Sequence, residues 1–152
     1  MLNRNESDAG IDARLRTMRI LWAAFVASIA VYALIAYLVA PVAEAGDTLG
    51  EESPLIYIFF ALGLSSVAAS YVLRQNFYGK AEREGQPALI QTGLIVALAL
   101  SEVAALLGLV ALFVLRNPLA YSLFALAVIG HLLHFPQRNQ LLAAARGAGR
   151  TI

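Results

Sequence analysis

Three side chains in the long apolar stretches of this chain can exchange protons: Glu102, His131 and His134. Glu102 is the single formal charge in Gln86–Leu115, a run of apolar and small residues. At about 1.5 Å per residue that run outspans a hydrocarbon core of roughly 30 Å, which predicts a transmembrane helix. Placing a carboxylate near the bilayer midplane costs about 2.5–3.5 kcal/mol on insertion scales, so an acid there points to a function. One reading is a proton-binding site, a carboxyl that is loaded and emptied at physiological pH. The other is a permanently neutral acid that bonds Ser101, a serine of the second span (Ser65 or Ser66), or a backbone carbonyl.

His131 and His134 lie three residues apart, hence on one helix face. They are expected as hydrogen-bonding residues near the cytoplasmic end of the last span, far in depth from Glu102, with a proton relay to the cytoplasm as the alternative. A metal wants three or four ligands, and no third ligand is within reach, so neither metal nor haem is expected. The chain has no cysteine, which excludes disulfides, thiolate metal sites and cysteine nucleophiles. No Gly-rich phosphate loop, Ser-His-Asp set or His-Glu-x-x-His motif occurs, so neither an enzyme nor a cofactor is expected. A net charge of +1 and the lack of a basic patch with interleaved aromatics argue against nucleic acid.

These residues sit in a sequence that is 60% hydrophobic and 14% charged, with a mean hydropathy of +0.71. A soluble domain would carry about 25% charge. Charge is emptied out of four segments, about 20–40, 55–73, 88–115 and 119–135, each near the length of a spanning helix. The predicted fold is an all-α, polytopic four-helix membrane bundle spanning residues 20–136, after an N-terminal segment 1–19 and before a basic tail 137–152. Ala43-Glu44-Ala45 has the form of a signal-peptidase site, but the apolar stretch before it is longer than a signal core, so a retained first span is expected.

In the N-terminal segment Ile11, Leu15, Met18 and Trp22 fall on one face, which predicts an interfacial helix turning into the first span. Trp22 and Tyr37 stand near that span's ends, where aromatic belts form. The first loop, Pro41–Pro54, is acidic; the second, Arg74–Pro87, and the tail are basic; the third is Arg116-Asn117-Pro118. Ten Lys and Arg on one side against one, Arg116, on the other place both termini in the cytoplasm by the positive-inside rule. The tail, with Leu141 and Leu142 among its arginines, is expected on the anionic inner leaflet.

Gly93, Ala97, Ser101, Ala104, Gly108 and Ala111 recur at spacings of three and four, a small-residue stripe suited to close helix packing. Gly63, Ser65, Ser66, Ala68, Ala69 and Ser70 form a similar run in the second span. Spans two and three are therefore expected to pack through these faces around Glu102, which stands at the stripe's border, about 100° from Ser101.

Gln86-Pro87, Ala99-Leu100-Ser101-Glu102 and Gly108-Leu109-Val110 follow one another in an order that resembles the second helix of the ATP synthase c subunit. That resemblance implies that Glu102 is an ion-carrying carboxylate, and Val103, where sodium-binding relatives carry Ser or Thr, implies a proton. The preceding span has Tyr57, Phe59 and Phe60 with one glycine, Gly63, in place of the family's glycine ridge. Over more of the chain, Met18-Arg19-Ile20-Leu21-Trp22-Ala23-Ala24, the Ala99 to Val110 pattern and His134-Phe135-Pro136 with Arg138 resemble small bacterial four-span membrane proteins of no assigned activity. This implies a multi-pass protein of the bacterial inner membrane. The expected role is a component or accessory of an ion-translocating or respiratory complex; the alternative is a structural or scaffolding subunit with no ion-binding role. Expected partners are the lipid bilayer and other membrane subunits or further copies of the chain.

Overall fold

The computed structural model describes residues 4–39 and 54–147, with side chains from 9 to 145 within those ranges, so the acidic first loop apart from Pro54 lies outside the described residues. All regular structure among them is helical: α1 (Arg4–Val39), α2 (Leu55–Glu84), α3 (Pro87–Leu115), a 3₁₀ turn (Pro118–Ala120), α4 (Tyr121–Leu133) and α5 (Arg138–Gly147). Three helices, α1, α2 and α3, are long and apolar enough to cross a membrane. A fourth crossing is available if the 3₁₀ turn and α4 are counted with α5, across a bend of 46°.

Proline and glycine set the helix ends. Pro54 precedes α2, whose C-cap Gly85 takes the left-handed conformation (φ 62°), a shape that costs a glycine little. Pro87 then opens α3 at a position where its missing N–H is no loss. The α2–α3 turn is thus Gly85-Gln86, and the stretch expected as a loop, Arg74–Pro87, is helical up to Glu84, since no proline interrupts it and Gly79 stays in the helix. At the next turn Asn117 accepts a hydrogen bond from the Leu119 amide at 2.9 Å and starts the 3₁₀ turn. Pro136 lacks an amide donor and disfavours helix at Phe135, so α4 ends at Leu133, earlier than the span limit expected at 135.

α3 is the central element. In its most apolar stretch 44% of residues are buried, against 22% for α2 and 11% for α1, so α1 and α2 present most of their apolar surface outward. The small-residue stripe of α3 is buried as expected. A Cβ on Gly93 would stand 2.5 Å from Phe77 Cβ of α2, and one on Gly108 would stand 3.1 Å from Leu123 Cβ of α4. Ala97 and Ala104 between them are fully buried. The stripe therefore serves two neighbours in turn, α2 near its start and α4 near its end.

The core has two parts. One gathers Ile29, Ile56, Val67, Ala104, Ala105, Leu112 and Phe124. The other gathers Ile11, Leu15 and Met18 of α1, Ala81 of α2, Ile90, Leu94 and Leu98 of α3, and Leu141 and Ala144 of α5. This second cluster bears on the two ends of the chain. The turn expected between the N-terminal amphipathic stripe and the first span is absent: α1 is one unbroken helix of 36 residues, about 54 Å long at 1.5 Å per residue. Its Ile11-Leu15-Met18 face buries against protein, because α5 covers it. The tail likewise turns Leu141 and Ala144 into that core.

Candidate functional site

Two polar clusters lie inside the bundle. The first was not anticipated as a site. Arg74, placed by composition in a loop, stands about ten residues inside α2 and is only 4% exposed. Its guanidinium donates to Leu133 O at 2.9 Å, to His134 Nδ1 at 3.1 Å and to Tyr78 Oη at 2.6 Å. Longer contacts reach Phe135 O at 3.4 Å and Gln140 Oε1 at 3.5 Å, so all five N–H groups have acceptors. Tyr78 in turn donates to Gln140 Oε1 at 2.7 Å, and the Arg74 Cζ lies 5.0 Å from the Tyr78 ring centroid. Among the described residues no carboxylate takes part. The negative pole comes instead from the C-terminus of α4, whose last carbonyls are unsatisfied within the helix and carry roughly half an elementary charge.

The same end is completed from α1 and from the chain itself. Trp22 Nε1 donates to His131 O at 2.8 Å. The His134 and Phe135 amides turn back to His131 O and Leu132 O at 3.0 and 3.3 Å. Arg74 takes Leu133 O, and the stop imposed by Pro136 is thereby satisfied group by group.

Hydrogen-bond direction fixes His134. An arginine only donates, so Nδ1 accepts and Nε2 carries the proton. Nε2 lies 2.8 Å from Ser70 Oγ. Ser70 spends its own proton on Val67 O at 2.6 Å, so it accepts from His134 and also from Ser101 Oγ at 3.1 Å. His134, Ser70 and Ser101 are all fully buried, and each proton in the chain has one place to go. Ser101 thus turns toward α2 and α4. A Cβ on Gly130 would come 2.9 Å from Ser101 Oγ, so only glycine lets α4 approach α3 at this level.

The second cluster surrounds Glu102. One residue beyond Ser101, its carboxylate turns to α1, where Ser28 Oγ stands between it and Phe25 O as a hydrogen-bond donor. The packing of spans two and three therefore does not enclose Glu102; the seam that holds it is α1–α3, and the acid is half-buried there. Ser101 is not its partner. Of the serines expected nearby, Ser66 donates to Leu100 O at 2.5 Å, and Ser65 is exposed and bonds Leu62 O of its own helix at 2.9 Å.

His131 is not separated from Glu102 in depth. Gly130 abuts Ser101 and the two helices run antiparallel, so His131 and Glu102, one residue on in opposite directions, are offset by only about 3 Å along the axis. Both face the same stretch of α1: Phe25 lies 6.2 Å from the His131 ring, and Ser28, one turn on, holds Glu102. His131 is 0% exposed. Its Nδ1 meets Ala127 O at 2.9 Å and must donate there, while its Nε2 has no hydrogen-bond partner. The two histidines, three residues apart, therefore belong to different clusters. Among the described residues no group of three His, Cys, Asp or Glu side chains is placed to hold a metal ion.

No protein-family model, curated protein or solved structure matches this chain.

Proposed function

We propose that this chain is a small multi-pass protein of the bacterial inner membrane in which Glu102 binds and releases a proton. Both termini lie in the cytoplasm in this reading, following the distribution of Lys and Arg. The observation that carries it is the setting of the carboxylate. Glu102 lies midway along the most buried helix, half-covered, with the Ser28 hydroxyl from another helix at its carboxylate. A hydroxyl donates to a carboxylate and accepts from a carboxylic acid, so Ser28 serves both protonation states without moving. The likeness of the third span to the ATP synthase c subunit supports the same role, and its most economical form is a component or accessory of an ion-translocating or respiratory assembly. The partners of Glu102 come from its own chain, so proton binding needs no ring of identical subunits. Further membrane subunits or copies of the chain have apolar surface to meet on α1 and α2, where Tyr37, Leu38 and Tyr57 are 77%, 68% and 68% exposed.

A second reading, a structural or scaffolding subunit, is favoured by the Arg74 cluster, which ties α2, α4 and α5 together with every donor of the guanidinium committed.

Labelling by a hydrophobic carbodiimide in native membranes separates the two readings. The proton-site reading expects Glu102 to be modified at low pH and protected as pH rises, with Glu102→Gln abolishing proton movement by the assembly. A Glu102 that stays unmodified at every pH, or a Glu102→Gln strain with unchanged proton movement, leaves the structural reading standing.

A further inference from the structure

We infer that α1 carries a binding site for one anionic phospholipid, with its phosphate on Arg16 and Arg19 and the start of an acyl chain over Ile20 and Ala23; this rests on the multi-pass membrane reading and not on Glu102. A cavity of about 420 Å³ lies along one face of α1, lined by Asp12, Leu15, Arg16, Arg19, Ile20 and Ala23. At spacings of four these residues form two neighbouring rows, Asp12-Arg16-Ile20 and Leu15-Arg19-Ala23. Along the helix the lining changes from charged to apolar between Arg19 and Ile20.

That change falls where a bilayer changes in the same way. Arg19 is the last charge on α1, and Ile20–Val39 carries none. At about 1.5 Å per residue this stretch measures roughly 30 Å, the thickness of a hydrocarbon core. The two arginines therefore stand at the level of lipid phosphates. Ile20, 61% exposed, and Ala23, also exposed, stand where acyl chains begin.

The arginines are also left without their ordinary partner. Asp12 and Arg16, four residues apart, are spaced to pair on a helix surface. Asp12 instead meets Arg138 of α5 at 3.0 Å. Among the described residues no carboxylate pairs with Arg16 or Arg19. The Arg19 Cζ lies 5.9 Å from the Phe135 ring centroid, a contact that keeps the guanidinium beside the α4–α5 bend. Arg16, Arg19 and Arg138 against Asp12 leave the cavity net positive, which favours an anionic headgroup over a zwitterionic one. A phosphodiester offers acceptor oxygens to both guanidinium forks. Asp12, at the outer end, is placed to accept from a headgroup hydroxyl such as those of phosphatidylglycerol. A soluble phosphate would match only the charged half of the lining; a lipid matches both, as in other basic pockets at the membrane face.

The test is native mass spectrometry of the full chain released from mixed micelles holding phosphatidylglycerol and phosphatidylethanolamine in equal amounts. Wild type should retain one phosphatidylglycerol. An arginine near an anionic lipid surface is worth about five-fold in affinity, so Arg16→Gln and Arg19→Gln should each lower retention about that much, and the double variant should lose the preference for phosphatidylglycerol. Both side chains are exposed, so their loss leaves the core intact. Arg83→Gln, which removes the same charge from the last turn of α2, should change nothing. Ala23→Trp fills the apolar half and should release the lipid with both arginines in place. Equal retention of the two lipids by wild type, or an Arg83→Gln loss equal to that of Arg16→Gln, overturns the site and leaves the Glu102 reading standing. A Glu102 that never titrates leaves the lipid site standing. A chain recovered from cells without detergent in the soluble fraction overturns the membrane reading and the lipid site with it.

Discussion

The Arg74 and Glu102 clusters sit side by side on neighbouring residues of α3 and are built to opposite specifications. Ser101 leads into a network where Ser70, His134, Arg74, Tyr78 and Gln140 have one consistent assignment of protons. Moving any proton there breaks several bonds at once. Glu102 leads into a seam where the carboxylate is held by the Ser28 hydroxyl, which accepts as well as donates, and His131 on α4 has a buried ring nitrogen with no partner. A saturated network fixes helices; an unsaturated one has somewhere for a proton to go. In this chain a buried charge by itself does not mark function. Arg74 is more deeply buried than Glu102 and reads as a clamp.

Substitutions at the two clusters should separate these roles. The largest effect on stability is expected from Arg74→Ala, which strands the Leu133 and Phe135 carbonyls, His134 Nδ1 and Gln140. A loss of about 3 kcal/mol or more is expected from the charged hydrogen bonds alone, read as unfolding in mixed micelles. Arg74→Lys should recover only part of it, because an ammonium lacks the planar fork. If Arg74→Ala instead abolishes Glu102 titration in a protein that is still folded, the division between the clusters is wrong.

Close approach comes next. In Gly130→Ala the new Cβ would stand 2.9 Å from Ser101 Oγ, so α4 must shift away from α3. We expect a cost of about 1–3 kcal/mol. Because Gly130 also sets the level of His131 against Glu102, this variant should disturb both clusters, whereas Gly93→Ala, which crowds Phe77, should cost stability and leave Glu102 titration alone.

Much of this architecture is legible in the residues. The four apolar segments, the Pro and Gly turns and the stripe on α3 follow from helix geometry and proline chemistry. What was not legible followed from the assumption that charge marks a loop. Composition places Arg74 at the edge of a span, yet no proline stands between it and Gly85, and the partner that neutralises it is a helix end, which no residue type announces. The levels of the side chains were misjudged although they could be counted. Ser70 and Ser101 are equally far from the turn at Gly85-Gln86 and meet across α2 and α3. Antiparallel helices joined by minimal turns bring such residues side by side. The burial of the N-terminal stripe by α5 was hidden for a different reason: an amphipathic face has the same pattern whether lipid or protein covers it.

Smaller effects complete the comparison. Asn117→Ala removes the bond that starts the 3₁₀ turn and should cost about 1 kcal/mol, with no change at either cluster, as checked by thermal unfolding. The Arg138–Asp12 ion pair between α5 and α1 is exposed, at 46% and 59% of the two side chains, and measures 3.0 Å. Asp12→Asn should change stability by less than about 1 kcal/mol, with a difference that disappears in high salt.

The most direct measurement is the protonation of Glu102 itself, followed across pH by the carbonyl band of its carboxylic acid in the full chain in phospholipid vesicles, with Glu102→Gln identifying the band. The account predicts a band that is present at low pH and lost reversibly as pH rises, in both wild type and a folded Arg74→Lys protein. A band unchanged from acid to alkaline pH, or absent throughout, would contradict it and leave Glu102 as a fixed hydrogen bond between α3 and α1.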